Sequence, residues 1–218
     1  MRHPALLRPL RYGSTIIITV LVLVVPACLH SPEIEKIHYY AVIPEIHVAA
    51  ATPTTLTLGV RPLFAKNTYG TAMAYLDDNY QLGYQSRHEW AENPAPIVTR
   101  ALQDALAASA RFADVGNAAD MVRPDLLLTG ELRAYHENRS LQPPQAELEV
   151  RLELRQATEP GSIWAETLRE TEPMKADTPA ALAESMTILV GRLATHAASS
   201  IAAAPLPEKE TDSTRPKE

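Results

Sequence analysis

The sequence predicts an α+β fold, in which a mainly antiparallel sheet has two helices packed on one face. Three consecutive segments, 125–136, 147–156 and 163–172, alternate apolar and polar residues with the period of two that half-buried strands show. Two further segments, 94–111 and 178–204, carry apolar residues at helical spacing. Helices and a sheet that are each apolar on one side are stable when they pack those sides together.

The first part of the chain contains short β-rich runs. HYYAV at 38–42 is the first, and TTLTLGVR at 54–61 alternates as a strand does. Residues 73–76 and 80–85 can pair as a β-hairpin, because the residues Asp77-Asp78-Asn79 between them favour a turn. We expect a loop at 44–53.

The helices have recognisable starts. Asn93 suits an N-cap and Pro94 is tolerated in the first turn, so the first helix should run to about Arg111. Thr178 and Pro179 begin the second helix in the same way. Its apolar positions form one narrow stripe: Leu182, Met186, Leu189, Leu193, Ala197 and Ile201.

The long strands have clear inward positions. For 125–136 these are Leu128, Gly130, Leu132 and Ala134, and for 147–156 they are Leu148, Val150, Leu152 and Leu154. The opposite side of 147–156 alternates Glu and Arg, which is typical of a solvated strand face with cross-strand ion pairs rather than of general acids or bases.

The N-terminus has the pattern of a lipoprotein signal. Three arginines precede an apolar stretch of 13 residues at 15–27, which is shorter than the roughly 20 that span a bilayer. Val25-Pro26-Ala27-Cys28 then resembles a lipobox, in which the cysteine is acylated. We expect a signal peptide at 1–27, a lipidated tether at 28–36, the domain at 37–203 and a disordered tail at 204–218. The alternatives are an ordinary signal peptide with an incidental cysteine, or an uncleaved anchor.

Charge and composition exclude several classes. The chain has 218 residues and a net charge of -6, and loss of residues 1–27 with Arg2, Arg8 and Arg11 leaves 191 residues at -9. This acidic balance argues against nucleic acid as a partner. One cysteine allows neither an internal disulfide nor a zinc site with several thiolates. No hydrolase, nucleotide-binding or metalloprotease motif occurs, so no catalytic residue, metal or cofactor is predicted. His88-Glu89 is interpreted as a solvated turn.

The segment 64–90 holds six of the twelve aromatic residues. Tyr75, Tyr80, Tyr84 and Trp90 are the candidate partner-binding residues, since Tyr and Trp bury much area and keep a polar group available. Two interpretations stay open: the rings pack on the sheet or helix, or they contact a partner or lipid.

Several weak motifs occur in an order that resembles a known family. After the lipobox come Tyr39-Tyr40-Ala41-Val42, Leu58-Gly59-Val60-Arg61-Pro62, Ala74-Tyr75-Leu76-Asp77-Asp78, Tyr80-Gln81-Leu82-Gly83-Tyr84 and Trp90-Ala91-Glu92-Asn93-Pro94. In this order they are similar to the ABC-type transport auxiliary lipoproteins, of which the PqiC group is best known.

The resemblance implies a non-enzymatic outer-membrane lipoprotein that faces the periplasm. Its implied partners are an ABC transporter complex and an MCE-type substrate-binding protein, in lipid or hydrophobic-solute transport, and it implies a homo-oligomeric ring. Leu29 after the cysteine favours the outer membrane. Two alternatives remain: an outer-membrane assembly lipoprotein that plugs or chaperones a β-barrel, and a periplasmic hydrolase with an unfamiliar site.

Overall fold

The structure, a computed structural model, describes residues 36–65 and 68–208. The predictions for Cys28, the signal peptide, most of the tether and the last ten residues lie outside them. Within the described residues, two helices and nine strands occur in the order β1 His38–Tyr40, β2 Thr57–Val60, β3 Phe64–Ala65, β4 Ala72–Leu76, β5 Leu82–Trp90, α1 Pro94–Ala108, β6 Asp114–Asn117, β7 Leu126–Asn138, β8 Gln145–Gln156, β9 Trp164–Pro173 and α2 Pro179–Ala203.

The long strand β7 organises the sheet. Along one edge it pairs antiparallel with β8, which pairs antiparallel with β9. Along the other edge it pairs in turn with the short parallel strands β2, β3 and β4. β6 adds to β2, while β5 and then β1 add to β4.

The α+β class is confirmed, and the sheet is mixed rather than uniformly antiparallel. Its two longest ladders are the predicted antiparallel ones. The short strands β2, β3 and β4 pair parallel to β7, which they reach only after α1 has intervened in the chain. Crossover connections of this kind produce parallel pairs. The period-two pattern could not reveal this, because it reports which face a residue occupies and not the direction of the neighbouring strand.

The helices and the inward side of β8 form one core. Leu148, Val150, Leu152 and Leu154 are all fully buried, as predicted, together with apolar residues of both helices. Burial of one such side chain is worth about 1.5–3 kcal/mol. On the outward side, Glu149 pairs with Arg133 of β7 at 3.9 Å and with Arg169 of β9, so the expected cross-strand ion pairs are present.

The helix starts are as predicted, although only one cap uses its side chain. The Thr178 hydroxyl accepts a hydrogen bond from the Ala181 backbone N–H at 3.2 Å, whereas the Asn93 side chain makes no cap bond. The first helix ends at Ala108 and not near Arg111. Ala110 has φ of 51°, a left-handed conformation that a continuing helix does not adopt.

All six predicted stripe positions of the second helix are buried, and the buried face is broader than that stripe. The loop before β2 crosses the helix so closely that a Cβ at Gly191 would lie 2.5 Å from the Glu45 carbonyl oxygen. The buried face of the helix, which also contacts α1, includes small residues that a hydrophobic stripe does not identify, namely Ala181, Ala183, Ala194 and Ala198. Beyond the helix, Ala204 is buried and Leu206 packs against the core, so packing continues past residue 203.

A β-bulge changes which residues of β7 face inward. Its register with β8 shifts between Leu132 and Ala134. Leu132 is buried as predicted, but Ala134 is only half-buried, and Tyr135 enters the core in its place. Glu137, two residues further on, is fully buried. The interpretation of His88-Glu89 as a turn is also wrong, since both residues belong to β5.

Candidate functional site: a braced aromatic hairpin

The predicted hairpin is formed by β4 and β5. Its turn closes through the Asp77 carboxylate, which accepts from the backbone N–H of Asn79 at 2.9 Å and of Gln81 at 2.8 Å. Tyr80 at the tip has φ of 60° and is 88% exposed. A left-handed conformation costs a residue with a Cβ roughly 1–2 kcal/mol. Because its backbone is strained and its ring is exposed, Tyr80 makes the hairpin tip a candidate contact site for a partner.

Tyr75 joins the hairpin to the end of β7. Its ring covers the neighbouring strand at Gly83, where a Cβ would lie 2.4 Å from the Tyr75 Cζ. On the ring itself, the Arg139 guanidinium lies 3.8 Å from the centroid. The ring therefore fills the space left by the missing side chain of Gly83, and the cation adds a favourable interaction with its π face.

A buried carboxylate fixes this arginine. Glu137 is fully buried, and its Oε2 accepts from Arg139 Nη2 at 3.0 Å and from Gln85 Nε2 at 3.0 Å. Arg139 Nε also lies 3.0 Å from Oε1, as an ion-pair contact that is not a hydrogen bond. The hydrogen bond that Arg139 donates to Glu137 raises the pKa of Arg139, with burial acting in the opposite direction. Because Gln85 belongs to β5, the carboxylate links the hairpin to β7.

Tyr84 and Tyr69 extend this arrangement along the sheet. The Tyr84 hydroxyl donates to the Thr68 carbonyl at 3.0 Å, while 46% of the residue stays exposed. The Tyr69 ring stacks on His136 with its hydroxyl 3.1 Å from Nδ1, and His136 Nε2 faces Glu147 at 3.5 Å. Burial lowers the pKa of His136, the charge of Glu147 partly opposes this, and Arg169 lowers it further.

Trp90 lies in the core. It is 1% exposed, and its ring meets Tyr135 edge to face with the centroids 5.2 Å apart. Of the four residues named from the sequence, Tyr80 and Tyr84 are therefore exposed at the surface. Tyr75 packs between the hairpin and the end of β7, and Trp90 is buried in the core. Sequence reasoning missed Glu137 and Arg139, because the bulge that turns Glu137 inward leaves no trace in the polar-apolar pattern.

The described chain shows no arrangement suited to metal chemistry. Its histidines, aspartates and glutamates form no group of three that could hold a metal ion within residues 36–65 and 68–208. The fold brings His38 and His88 into a stack with centroids 5.4 Å apart, a pairing that their sequence spacing does not suggest. Neither of the two helices, as described, combines the length and apolar character needed to cross a bilayer.

The fold and its surface define an α+β domain that presents aromatic side chains on a rigidly held hairpin. A family model, described as the ABC-type transport auxiliary lipoprotein component, matches residues 43–198, and the chain belongs to that family. The resemblance noted in the sequence is thereby confirmed at the level of the family. None of the curated proteins matches this chain significantly.

Solved structures share the fold at low sequence identity. A protein from Xanthomonas campestris is 17% identical with a TM-score of 0.68, covering 75% of this chain and 94% of its own. An uncharacterised protein is 12% identical with a TM-score of 0.60, covering 77% and 99%. A hypothetical protein from Chlamydia trachomatis is 10% identical with a TM-score of 0.50, covering 68% and 96%. Such identities establish similarity of fold alone.

Proposed function

We propose that the protein is a non-enzymatic lipoprotein, anchored through Cys28 in the outer membrane and facing the periplasm, that docks an MCE-type substrate-binding protein of an ABC transport system for lipids or hydrophobic solutes. Membership of the auxiliary lipoprotein family supports the transport role. The lipobox and Leu29 in the sequence support the anchor and its membrane. Any mechanism is then physical: the anchor places the domain, and a rigid surface holds the partner.

The observation that carries this proposal is the presentation of Tyr80. Its ring is 88% exposed on a backbone with φ of 60°, and the Asp77 carboxylate holds the turn that presents it. A ring held in place before binding loses little conformational entropy on contact with a partner. Tyrosine is also among the residues that most often dominate binding energy in interfaces.

The proposal is tested by photocrosslinking in the native envelope. Benzoylphenylalanine replaces Tyr80 in the full chain, and in a matched variant it replaces Arg151 on the outward side of β8. We expect an MCE-type protein to be captured from position 80 and not from position 151, with identification by mass spectrometry. Capture of an outer-membrane barrel protein instead, or equal capture from both positions, would contradict the docking role.

The strength of the contact is tested with Tyr80→Ala and Arg151→Ala. Loss of an interface hot spot costs at least about 2 kcal/mol, which corresponds to roughly 30-fold in affinity. We expect Tyr80→Ala to reduce partner pull-down by that order, and Arg151→Ala to leave it unchanged at equal folded fraction. Equal pull-down by the two variants would remove the hairpin from the interface.

A further inference from the structure

A concave surface lies at the start of β7, away from the hairpin. Leu58 and Val60 point into the core, so Gly59 between them faces the other side of the sheet. The loop 118–124 folds back over this position, and a Cβ at Gly59 would lie 3.0 Å from both Ala118 Cβ and Pro124 Cγ. Beside this loop opens a hollow of about 730 Å³. That volume lies within the range of about 300–1,000 Å³ found for small-molecule sites.

The lining of the hollow is mainly apolar, with two cations and the neutral polar residues Asn117 and Thr158. Leu127, which is 7% exposed, contributes to it with Pro62, Ala118, Ala119, Met121, Val122, Pro124 and Ala157. Arg61 and Arg123 line it as well. Apolar walls with a few convergent polar groups are the usual composition of a ligand site.

These two arginines have no side-chain partner within residues 36–65 and 68–208. Among the residues that the structure describes, neither the Arg61 nor the Arg123 side chain has a hydrogen bond or an ion pair. Asp125, the acid nearest to Arg123 in sequence, directs its Oδ2 to Thr57, accepting from the backbone N–H at 2.8 Å and from the hydroxyl at 2.9 Å. In contrast, Arg133, Arg139, Arg169 and Arg192 are each paired with glutamate.

We propose that this hollow binds a single lipid acid, with an alkyl chain on the apolar lining and an anionic head group, carboxylate or phosphate, on Arg61 and Arg123. A guanidinium recognises either head group through charge-assisted hydrogen bonds. A neutral apolar solute would gain nothing from two arginines that the described part of the chain leaves without an acidic partner. The proposal names a ligand class for the proposed transport function, and therefore rests on that function. The ligand site itself is separate from the hairpin.

The test uses photoreactive lipids on the full, lipidated chain in native envelope vesicles. Three probes share one diazirine-bearing alkyl chain and end in a carboxylic acid, a phosphate monoester or an alcohol. We expect an acid probe to label the peptides that contain Met121 or Leu127, and the alcohol to label them at least about tenfold less. Comparison of the carboxylic acid with the phosphate identifies the preferred head group. Equal labelling by the alcohol, or labelling confined to other peptides, would overturn the proposal.

Variants connect the labelling to the site. A hydrogen bond to a charged group contributes about 1.5–3 kcal/mol, so Arg61→Gln and Arg123→Gln should each reduce labelling about tenfold or more. Arg151→Gln, a matched loss of charge on the outward side of β8, should leave it unchanged. Ala119→Trp fills the hollow and keeps both cations, and it too should abolish labelling. Retained labelling in both arginine variants, or in Ala119→Trp, would contradict the site.

The hairpin provides an independent control. Tyr80→Ala should lose partner capture and keep full lipid labelling. Arg123→Gln should lose lipid labelling and keep partner capture, when partner capture is measured without added lipid. Failure of the docking proposal therefore appears as retained partner capture in Tyr80→Ala. Failure of the lipid proposal appears as unchanged labelling in Arg123→Gln, so the two failures are distinguishable.

Discussion

The guanidinium of Arg139 lies 3.8 Å from the centroid of the Tyr75 ring and at the same time binds the buried carboxylate of Glu137. One residue thus connects the aromatic hairpin to the interior of the sheet. Removal of one partner from a buried ion pair is strongly destabilising, because the remaining charge is left without compensation. The hairpin's rigidity and the stability of the domain therefore depend on the same contact.

Arg139→Leu should lower the free energy of unfolding by about 3 kcal/mol, measured by urea denaturation. This is the low end of the effect of breaking a buried pair, because the Arg139 side chain is itself 34% exposed. Glu137→Gln combined with Arg139→Leu removes the uncompensated charge and should recover most of the loss. Equal destabilisation in the single and double variants would show that the charge pair is not the cause.

Trp90→Ala should lower the free energy of unfolding by about 3–5 kcal/mol, because it leaves a cavity beside Tyr135 in the core. Tyr80→Ala should change it by less than about 0.5 kcal/mol, since the ring is exposed. Chemical denaturation of both variants separates the core aromatic residue from the surface one. A Trp90→Ala protein as stable as the parent would place the ring outside the core.

Residues with local signals were predictable from the sequence. The strict alternation of β8 identified its inward leucines, because side chains on a strand point to opposite faces in turn. Asp77-Asp78-Asn79 identified the hairpin turn, and Thr178 with Pro179 identified the start of α2, because these residue types satisfy local backbone geometry.

Features that depend on contacts distant in sequence were not predictable. The bulge between Leu132 and Ala134 reverses the faces of β7, and it brings Glu137 inward to meet Gln85, which is 52 residues away. The chain at Glu45 crosses α2 at Gly191, where a Cβ would lie 2.5 Å from the Glu45 carbonyl oxygen. Arg61 and Arg123 are distant in sequence, and only the fold of the loop 118–124 places both on one hollow.

His136 should make stability depend on pH. Burial lowers its pKa in the folded state below the ordinary 6.5, so the unfolded chain binds the proton more readily. The stabilising contribution is therefore complete above pH 6.5 and is lost as the pH falls towards the lower folded pKa. The groups that face His136 are Tyr69, Glu147 and Arg169.

His136→Gln removes this titration while keeping a polar side chain. Urea denaturation at pH 7 and at pH 5 should show a larger drop in the free energy of unfolding for the parent protein than for this variant. His47→Gln is a matched control, since His47 is exposed with its side chain 88% accessible, and it should retain the parent's pH dependence. An identical pH dependence in the parent and in His136→Gln would assign the effect to other groups.

Tyr80→Gly separates stability from docking at one position. Glycine adopts φ of 60° without the roughly 1–2 kcal/mol of backbone strain that tyrosine incurs there. Against this, the greater conformational entropy of glycine in the unfolded chain lowers stability by about 0.4–1 kcal/mol. The net expectation is a protein between equal stability and about 1.6 kcal/mol more stable, measured by urea denaturation. Tyr80→Ala keeps the Cβ and the strain, so it serves as the control.

Both substitutions remove the ring and should weaken partner pull-down by a similar factor, although only Tyr80→Gly relaxes the turn. A variant that is at least as stable as the parent and no longer captures the partner shows that the ring, and not the fold beneath it, makes the contact. If Tyr80→Gly captures the partner as well as the parent does, the tip is only a strained turn. If it lowers stability, by up to about 1 kcal/mol, glycine's unfolded-state entropy outweighs the strain at Tyr80.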